Sequence, residues 1–304
     1  MANYYCLMAG APDIVMDEGG KNQISLAEFR EQCEEVLTEA DKQLIFYFYL
    51  EQDCKNIVKL LKASKTNDPK EKVDELGVEI ATFGNYTMDQ YQDLISAART
   101  MNFNVHRYPS FLSEFARNYD FNKGKADFFP EDQMMLAFYE YAMQCPNAMI
   151  ASWYKMNFDI TNILTALIAR KQGWNVSKYI LGDTEVNEMI RTNNTKDFSL
   201  MNELDYMVEL MKIVDTEDPV LKEKRIDAFK WNWLEEQTFM DVFSIEAVFA
   251  YFCKLEMLNR WELLDPETGK ETFREIIESL RSEAKVPEEF IRKAPNRQFM
   301  NEQQ

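Results

Sequence analysis

The sequence predicts an all-α fold built from three related helical units with pseudo-three-fold symmetry. Two observations predict the helices and a third predicts the repetition. Apolar residues recur at the helical period between start and stop signals along nearly the whole chain. Glycine is scarce, 9 of 304 residues, whereas folds rich in tight β-turns need it for left-handed backbone. Two windows 106 residues apart match each other in order and spacing.

Only Tyr4 to Met8 reads as a short strand. Ser25, with Glu28 three positions on, forms a capping box ahead of Leu26, Phe29, Val36 and Leu37. A long helix is expected over about 41–62, ended by Asn67-Asp68-Pro69. Thr87 with Gln90 repeats the capping box and opens a helix to about Met101. Pro109-Ser110 starts the next. Phe129-Pro130 then places a proline at a first helical position, leading through Met134, Phe138 and Tyr141 to a break at Pro146. Another helix runs from about Ala148 to Lys171 and stops at Gly173. Further helices are expected at about 183–192, 199–215, 219–238, 243–263 and 271–284, before a polar tail at 294–304. Residues 1–304 thus read as one helical body with repeats at roughly 20–105, 106–195 and 196–290.

The repeat rests on Asp53-x-x-Asn56-Ile57 and Asp159-x-x-Asn162-Ile163. Both follow aromatic runs, Phe46 to Tyr49 and Trp153-Tyr154. A weaker third copy is Glu256-x-x-Asn259, 97 residues after the second. Upstream, Leu26-Ala27-Glu28-Phe29-Arg30 resembles Leu112-Ser113-Glu114-Phe115-Ala116-Arg117. Such internal periodicity is the mark of a repeated supersecondary unit; coincidence is the alternative. Residues i and i+3 share a helix face, so Asp and Asn stand together on a largely apolar helix. Unsatisfied, each buried polar group costs roughly 1–3 kcal/mol. The favoured reading is that they bond a neighbouring loop or helix end and fix packing within a unit. The other reading is a partner surface.

Charge bounds the partners. With 34 Lys+Arg against 52 Asp+Glu the net charge is −18. Its field repels phosphate backbones and anionic lipid headgroups, so neither nucleic acid nor direct lipid anchoring is expected. Five cysteines at wide, irregular spacing fit a reduced cytosolic compartment. The first ten residues carry no Lys or Arg and make a poor signal peptide, and Leu44 to Leu50 is the longest apolar run. A soluble chain is expected.

Catalytic constellations are missing from the sequence. The only histidine is His106, which leaves out a multi-His zinc site, a di-iron bundle and a Ser-His-Asp triad. Gly124-Lys125 and Gly269-Lys270 lack the rest of a phosphate loop. Asp120, Asn122 and Glu131 stand at calcium-loop positions 1, 3 and 12, but Lys125 occupies the position that needs glycine. Paired acids for hydrolysis are inevitable among 52 carboxylates and single out no site. The cluster Phe229, Trp231, Trp233, Phe239 and Phe243 reads as core. No enzyme activity and no cofactor are expected.

The stretch Phe158-Asp159-Ile160-Thr161-Asn162-Ile163, the basic pair Arg170-Lys171, Gly173 and the turn Tyr179-Ile180-Leu181-Gly182 together resemble the C subunit of V-type and archaeal A-type ATPases (the d subunit in eukaryotes). The opening Tyr4 to Gly10 also resembles a branch from Bacteroides-like bacteria encoded beside V-type ATPase genes. The likeness is best over about 153–190 and fair over 40–62 and 243–285. It departs at Gly182-Asp183, where the family usually has two glycines, and at the contiguous Arg170-Lys171, which is usually spaced. The resemblance implies a funnel of three bundles and a non-catalytic coupling part that links the central stalk to the proteolipid rotor ring. It implies one copy per complex, in the cytoplasm and peripheral to the inner membrane. Packing or interface residues would be Asp53, Asn56, Asp159, Asn162, Arg170, Lys171, Gly182, Glu256 and Asn259. The alternative is a free-standing cytosolic helical adaptor without ATPase association.

Overall fold

The computed structural model describes residues 3–16, 23–64, 66, 68–100, 107–125 and 129–263. Among these residues there are eleven α-helices and no strand. They are α1 (Tyr5–Gly10), α2 (Leu26–Val36), α3 (Glu39–Ala63), α4 (Met88–Thr100), α5 (Ser110–Asn122) and α6 (Pro130–Ala142). The remainder are α7 (Ala148–Lys171), α8 (Glu185–Thr192), α9 (Met207–Val214), α10 (Pro219–Thr238) and α11 (Ile245–Leu263). No described helix is long and apolar enough to cross a membrane.

Helix starts follow local chemistry. Ser25 Oγ accepts from the Glu28 N–H while Glu28 reaches back to the Ser25 N–H at 2.8 Å, closing the capping box of α2. Thr87 and Gln90 do the same ahead of α4. Thr38, Asn147, Thr184 and Asp218 cap α3, α7, α8 and α10 with their side-chain oxygens. Each such cap is worth about 1 kcal/mol.

Two sequence expectations are corrected. Tyr4 to Met8 is the start of α1 rather than a strand. A five-residue apolar run carries no period that separates the two, and the Tyr4 N–H is taken by the Phe243 carbonyl at 2.7 Å beside the start of α11. The helix expected over 199–215 shrinks to α9. Phe198 and Ser199 adopt left-handed backbone, φ 53° and 61°, a conformation that cannot propagate a right-handed helix. His106, the helix expected at 271–284 and the tail at 294–304 lie outside the described residues.

The long helices α3 and α7 converge with α11. The Phe249 ring on α11 lies 6.4 Å from Phe48 on α3 and 6.1 Å from Tyr154 on α7. Phe252 adds contacts to Phe48 at 5.3 Å and to Phe29 of α2 at 4.7 Å. Phe29, Phe249 and Phe252 are fully buried, and each such side chain stabilises the fold by roughly 1.5–3 kcal/mol. Trp231, Trp233 and Phe229 join the core or pack on it, as expected. Phe239 instead projects into solvent at 76% exposure.

Candidate functional site

Asn56 and Asn162 perform the same operation in two places. The Asn56 amide donates to the Ala81 carbonyl at 2.9 Å and accepts the Ala81 N–H at 3.2 Å. The Asn162 amide donates to the Leu181 carbonyl at 3.2 Å and accepts the Leu181 N–H at 2.9 Å. Each asparagine thus satisfies both polar groups of one residue in the loop that follows its helix. Both are buried, as are Asp53 and Asp159. The clasped loops lead directly to the capping threonines of α4 and α8.

The aspartates differ. Asp53 accepts from the Asn85 N–H at 2.9 Å, the Asn85 side-chain amide at 2.7 Å, the Tyr86 N–H at 3.3 Å and the Tyr91 hydroxyl at 2.6 Å. Burial raises its pKa, and these four donors oppose the rise. Gly84 makes the arrangement possible, because a Cβ there would overlap Asp53 Oδ1. Asp159 has one donor, the exposed Lys155 ammonium at 2.7 Å. Its other oxygen is buried with no hydrogen-bond partner. Burial raises its pKa as well, opposed by Lys155 alone. The second loop is six residues shorter from asparagine to clasped residue, 19 against 25, and offers Asp159 no N–H.

Gly182 sits where the chain turns at φ +74°. A Cβ there would stand 2.8 Å from Leu136 Cδ1 and 3.1 Å from Phe158 Cζ. Its carbonyl accepts from Arg191 at 2.7 Å. Arg170 lies over the Phe198 ring, 3.8 Å from the centroid, and donates to the Thr195 and Asn193 carbonyls. It therefore holds the left-handed turn that shortened α9. Lys171 beside it is exposed.

The third copy differs in environment. Glu256 and Asn259 lie on α11 but are exposed. The segment that would follow Asn259 as Ala81 and Leu181 follow their asparagines lies outside the described residues. The charges of Glu51, Lys55, Arg260 and Lys230 act on Glu256. Desolvation, reinforced by Glu51 and opposed by the three cations, pushes its carboxyl up to about 7. The buried carboxylate of this region is Asp227 on α10, bonded by Arg260 and by the Trp261 indole at 2.8 Å.

The leucine and phenylalanine of the Leu-x-x-Phe windows in α2 and α5, Leu26, Phe29, Leu112 and Phe115, are buried. In the first unit α2 is followed directly by the clasping helix α3; in the second, α6 intervenes between α5 and α7. The helix order leading into the two clasping helices therefore differs. Sequence reasoning missed Gly84, Asn85 and Tyr91, although the Gly84-Asn85 dipeptide is a turn signal. The calcium-like positions are otherwise engaged: Asp120 pairs with Arg99, Asn122 with Lys125 and Glu131 with Lys62. No cluster of three metal-ligating side chains occurs among the described residues.

A family model described as "Protein of unknown function (DUF2764)" matches residues 1–284. No curated protein and no solved structure matches the chain.

Proposed function

We propose, starting from the fact that the chain belongs to the DUF2764 family, that it is a non-catalytic coupling subunit of a rotary V-type ATPase. It would link the central stalk to the proteolipid rotor ring from the cytoplasmic face, one copy per complex. One observation carries the reading: α3 and α7 hold their following loops by the same asparagine clasp and meet α11 at one aromatic node. A body of repeated helical units is what the resemblance to the rotary-ATPase family calls for, and a pseudo-three-fold funnel would be its finished form. The clasps suit a part that transmits torque, since each ties a loop to a long helix through a buried pair of hydrogen bonds. The charge of −18 favours partner surfaces rich in Lys and Arg.

The test is a mild-detergent pull-down of tagged protein from its native membranes, with the recovered components identified and counted. Recovery of catalytic head, central stalk and proteolipid ring at one copy of this chain supports the reading. An intact ATPase without this chain removes it and turns the search to soluble partners of a free-standing adaptor.

A further inference from the structure

A groove of about 410 Å³ runs between α5 and α6, within the roughly 300–1,000 Å³ range of small-molecule sites. Its α5 wall extends from Ser110 to Asn122, about 18 Å at the helical rise of 1.5 Å per residue. Ala137 of α6 lines the middle, and its small side chain leaves that part open. Phe111, Phe115, Tyr119 and Tyr141 supply aromatic surface. The Phe111 and Tyr141 rings lie 5.1 Å apart, which sets the start of α5 against the end of α6. Tyr141 stacks in turn on Tyr47 of α3 at 5.4 Å, so this end of the groove is held by the core helix.

The polar lining has one sign. Glu114 and Glu140 stand in the groove with the uncharged amides of Asn118, Gln133 and Gln144, and no lysine or arginine lines it among the described residues. All five of these side chains are exposed, and none has a hydrogen-bond or ion-pair partner among the described residues. Two carboxylates are therefore accessible and without a counter-charge. Just past α5 the chain's own ammonium groups already use this kind of lining. Lys125 donates to Asn122 Oδ1 at 2.7 Å, and Lys123 Nζ lies 5.8 Å from the Tyr119 ring centroid. An anion would meet Glu114 and Glu140 with nothing to pair. A metal ion needs several oxygens converging on one point, and no cluster of three metal-ligating side chains occurs among the described residues. Carboxylates and amide oxygens spread along an aromatic groove suit several amines separated by methylene stems. Ammonium groups there gain charge-assisted hydrogen bonds and aromatic faces. The net charge of −18 concentrates polycations around the whole chain.

We propose that the groove between α5 and α6 binds a linear aliphatic polyamine, a tri- or tetraamine. One ammonium donates to Glu114 and Glu140 at the end marked by the Phe111–Tyr141 ring pair. The methylene stem lies along Phe115 and over Ala137. A second amine donates to the side-chain carbonyls of Asn118 and Gln133. The site is independent of the rotary-ATPase reading and stands or falls without it.

The test is titration calorimetry on the full chain with spermidine and with spermine, at about 0.15 M salt so that diffuse attraction is screened. Two controls each lack one feature: Mg²⁺ has charge without a stem, and octane-1,8-diol has the stem without charge. Saturable binding of one polyamine per chain is expected, with both controls at least about tenfold weaker. Glu114→Gln and Glu140→Gln, at exposed side chains that hold nothing else, are each expected to weaken it about tenfold. Glu203→Gln combined with Glu217→Gln removes two charges outside the groove and is expected to bind as the parent does. Ala137→Leu fills the middle of the groove with a good helix former. It is expected to abolish binding with the circular dichroism spectrum unchanged. No saturable heat with either polyamine at about 1 mM overturns the proposal. So does equal binding of Mg²⁺ or the diol, or a Glu114→Gln/Glu140→Gln protein that binds as the parent does. Equal weakening by the Glu203→Gln/Glu217→Gln pair overturns it as well, because the field of the whole chain would then account for the binding.

Discussion

Asn56 and Asn162, 106 positions apart, each hold one loop residue by both its N–H and its carbonyl. A side-chain amide holds a donor and an acceptor side by side, so it can pair with a backbone N–H and carbonyl at once. Neither role survives replacement by an isosteric apolar residue.

Asn162→Leu is therefore expected to lower stability by about 1–3 kcal/mol, the cost of leaving the Leu181 N–H without its partner, while the Leu181 carbonyl keeps the Asn187 amide at 2.6 Å. Chemical denaturation followed by circular dichroism reads this directly. An unchanged midpoint would show that solvent or another side chain replaces the amide.

The two aspartates should respond differently to the same change. Asp53→Asn turns an acceptor toward four donors into a group that is half donor, and a loss of about 1–3 kcal/mol is expected. Asp159→Asn should cost less than about 1 kcal/mol at pH 7, or stabilise, since it relieves a buried charge with a single donor. Its raised pKa means that Asp159 contributes stability below the unfolded aspartate value and loses it as pH rises. The gain from Asn should accordingly vanish at acid pH. Equal losses at the two sites would contradict the assigned hydrogen bonds.

Gly84→Ala should be the harsher of two glycine substitutions. Its Cβ meets Asp53, a carboxylate fixed by four donors, and Tyr91 Oη at 3.0 Å. A loss of roughly 2–4 kcal/mol follows from overpacking a site that cannot relax. Gly182→Ala combines a left-handed backbone with contact against Leu136 Cδ1, the far end of a flexible side chain. Roughly 1–2 kcal/mol is expected there. Thermal melts of both variants rank them.

Glu256→Gln gives a pH signature. The folded carboxyl titrates near 7, above the ordinary 4.5, so the native state binds its proton more tightly than the unfolded chain. Its contribution is complete below pH 4.5 and is lost as pH climbs through 7. The glutamine variant should match the parent at pH 4 and exceed it at pH 8. Because the side chain is exposed, screening reduces the gain to the order of 1 kcal/mol. A pH-independent difference would place the effect in packing instead of charge.

Most helices were legible because capping boxes and proline positions are local chemistry. Ser25 with Glu28 and Thr87 with Gln90 behave in the fold as they read in the sequence. The placement of Asp53, Asn56, Asp159 and Asn162 on buried faces followed from i, i+3 spacing on apolar helices. What they bond did not, since Asn85, Tyr91 and Leu181 arrive from 19 to 38 residues away. The turn at Phe198 was hidden for the same reason: its left-handed backbone depends on Arg170 from α7.

The aromatic node has a consequence during synthesis. Phe29 finds its ring partners in Tyr251 and Phe252, and Phe48 adds Phe249 and Phe252 to its nearer partners Tyr49 and Phe83, all three α11 rings lying about 200 residues later. A ribosome adding 5–20 residues per second takes roughly 10–40 s to make that stretch. Through that interval Phe29 of α2 and the side of Phe48 that meets α11 stay uncovered, although Phe83 and Tyr86 already reach the rings of α3. The nascent chain is thus a client for holdase chaperones until α11 emerges, and a transcript truncated before residue 249 would yield an aggregating product instead of a smaller folded one.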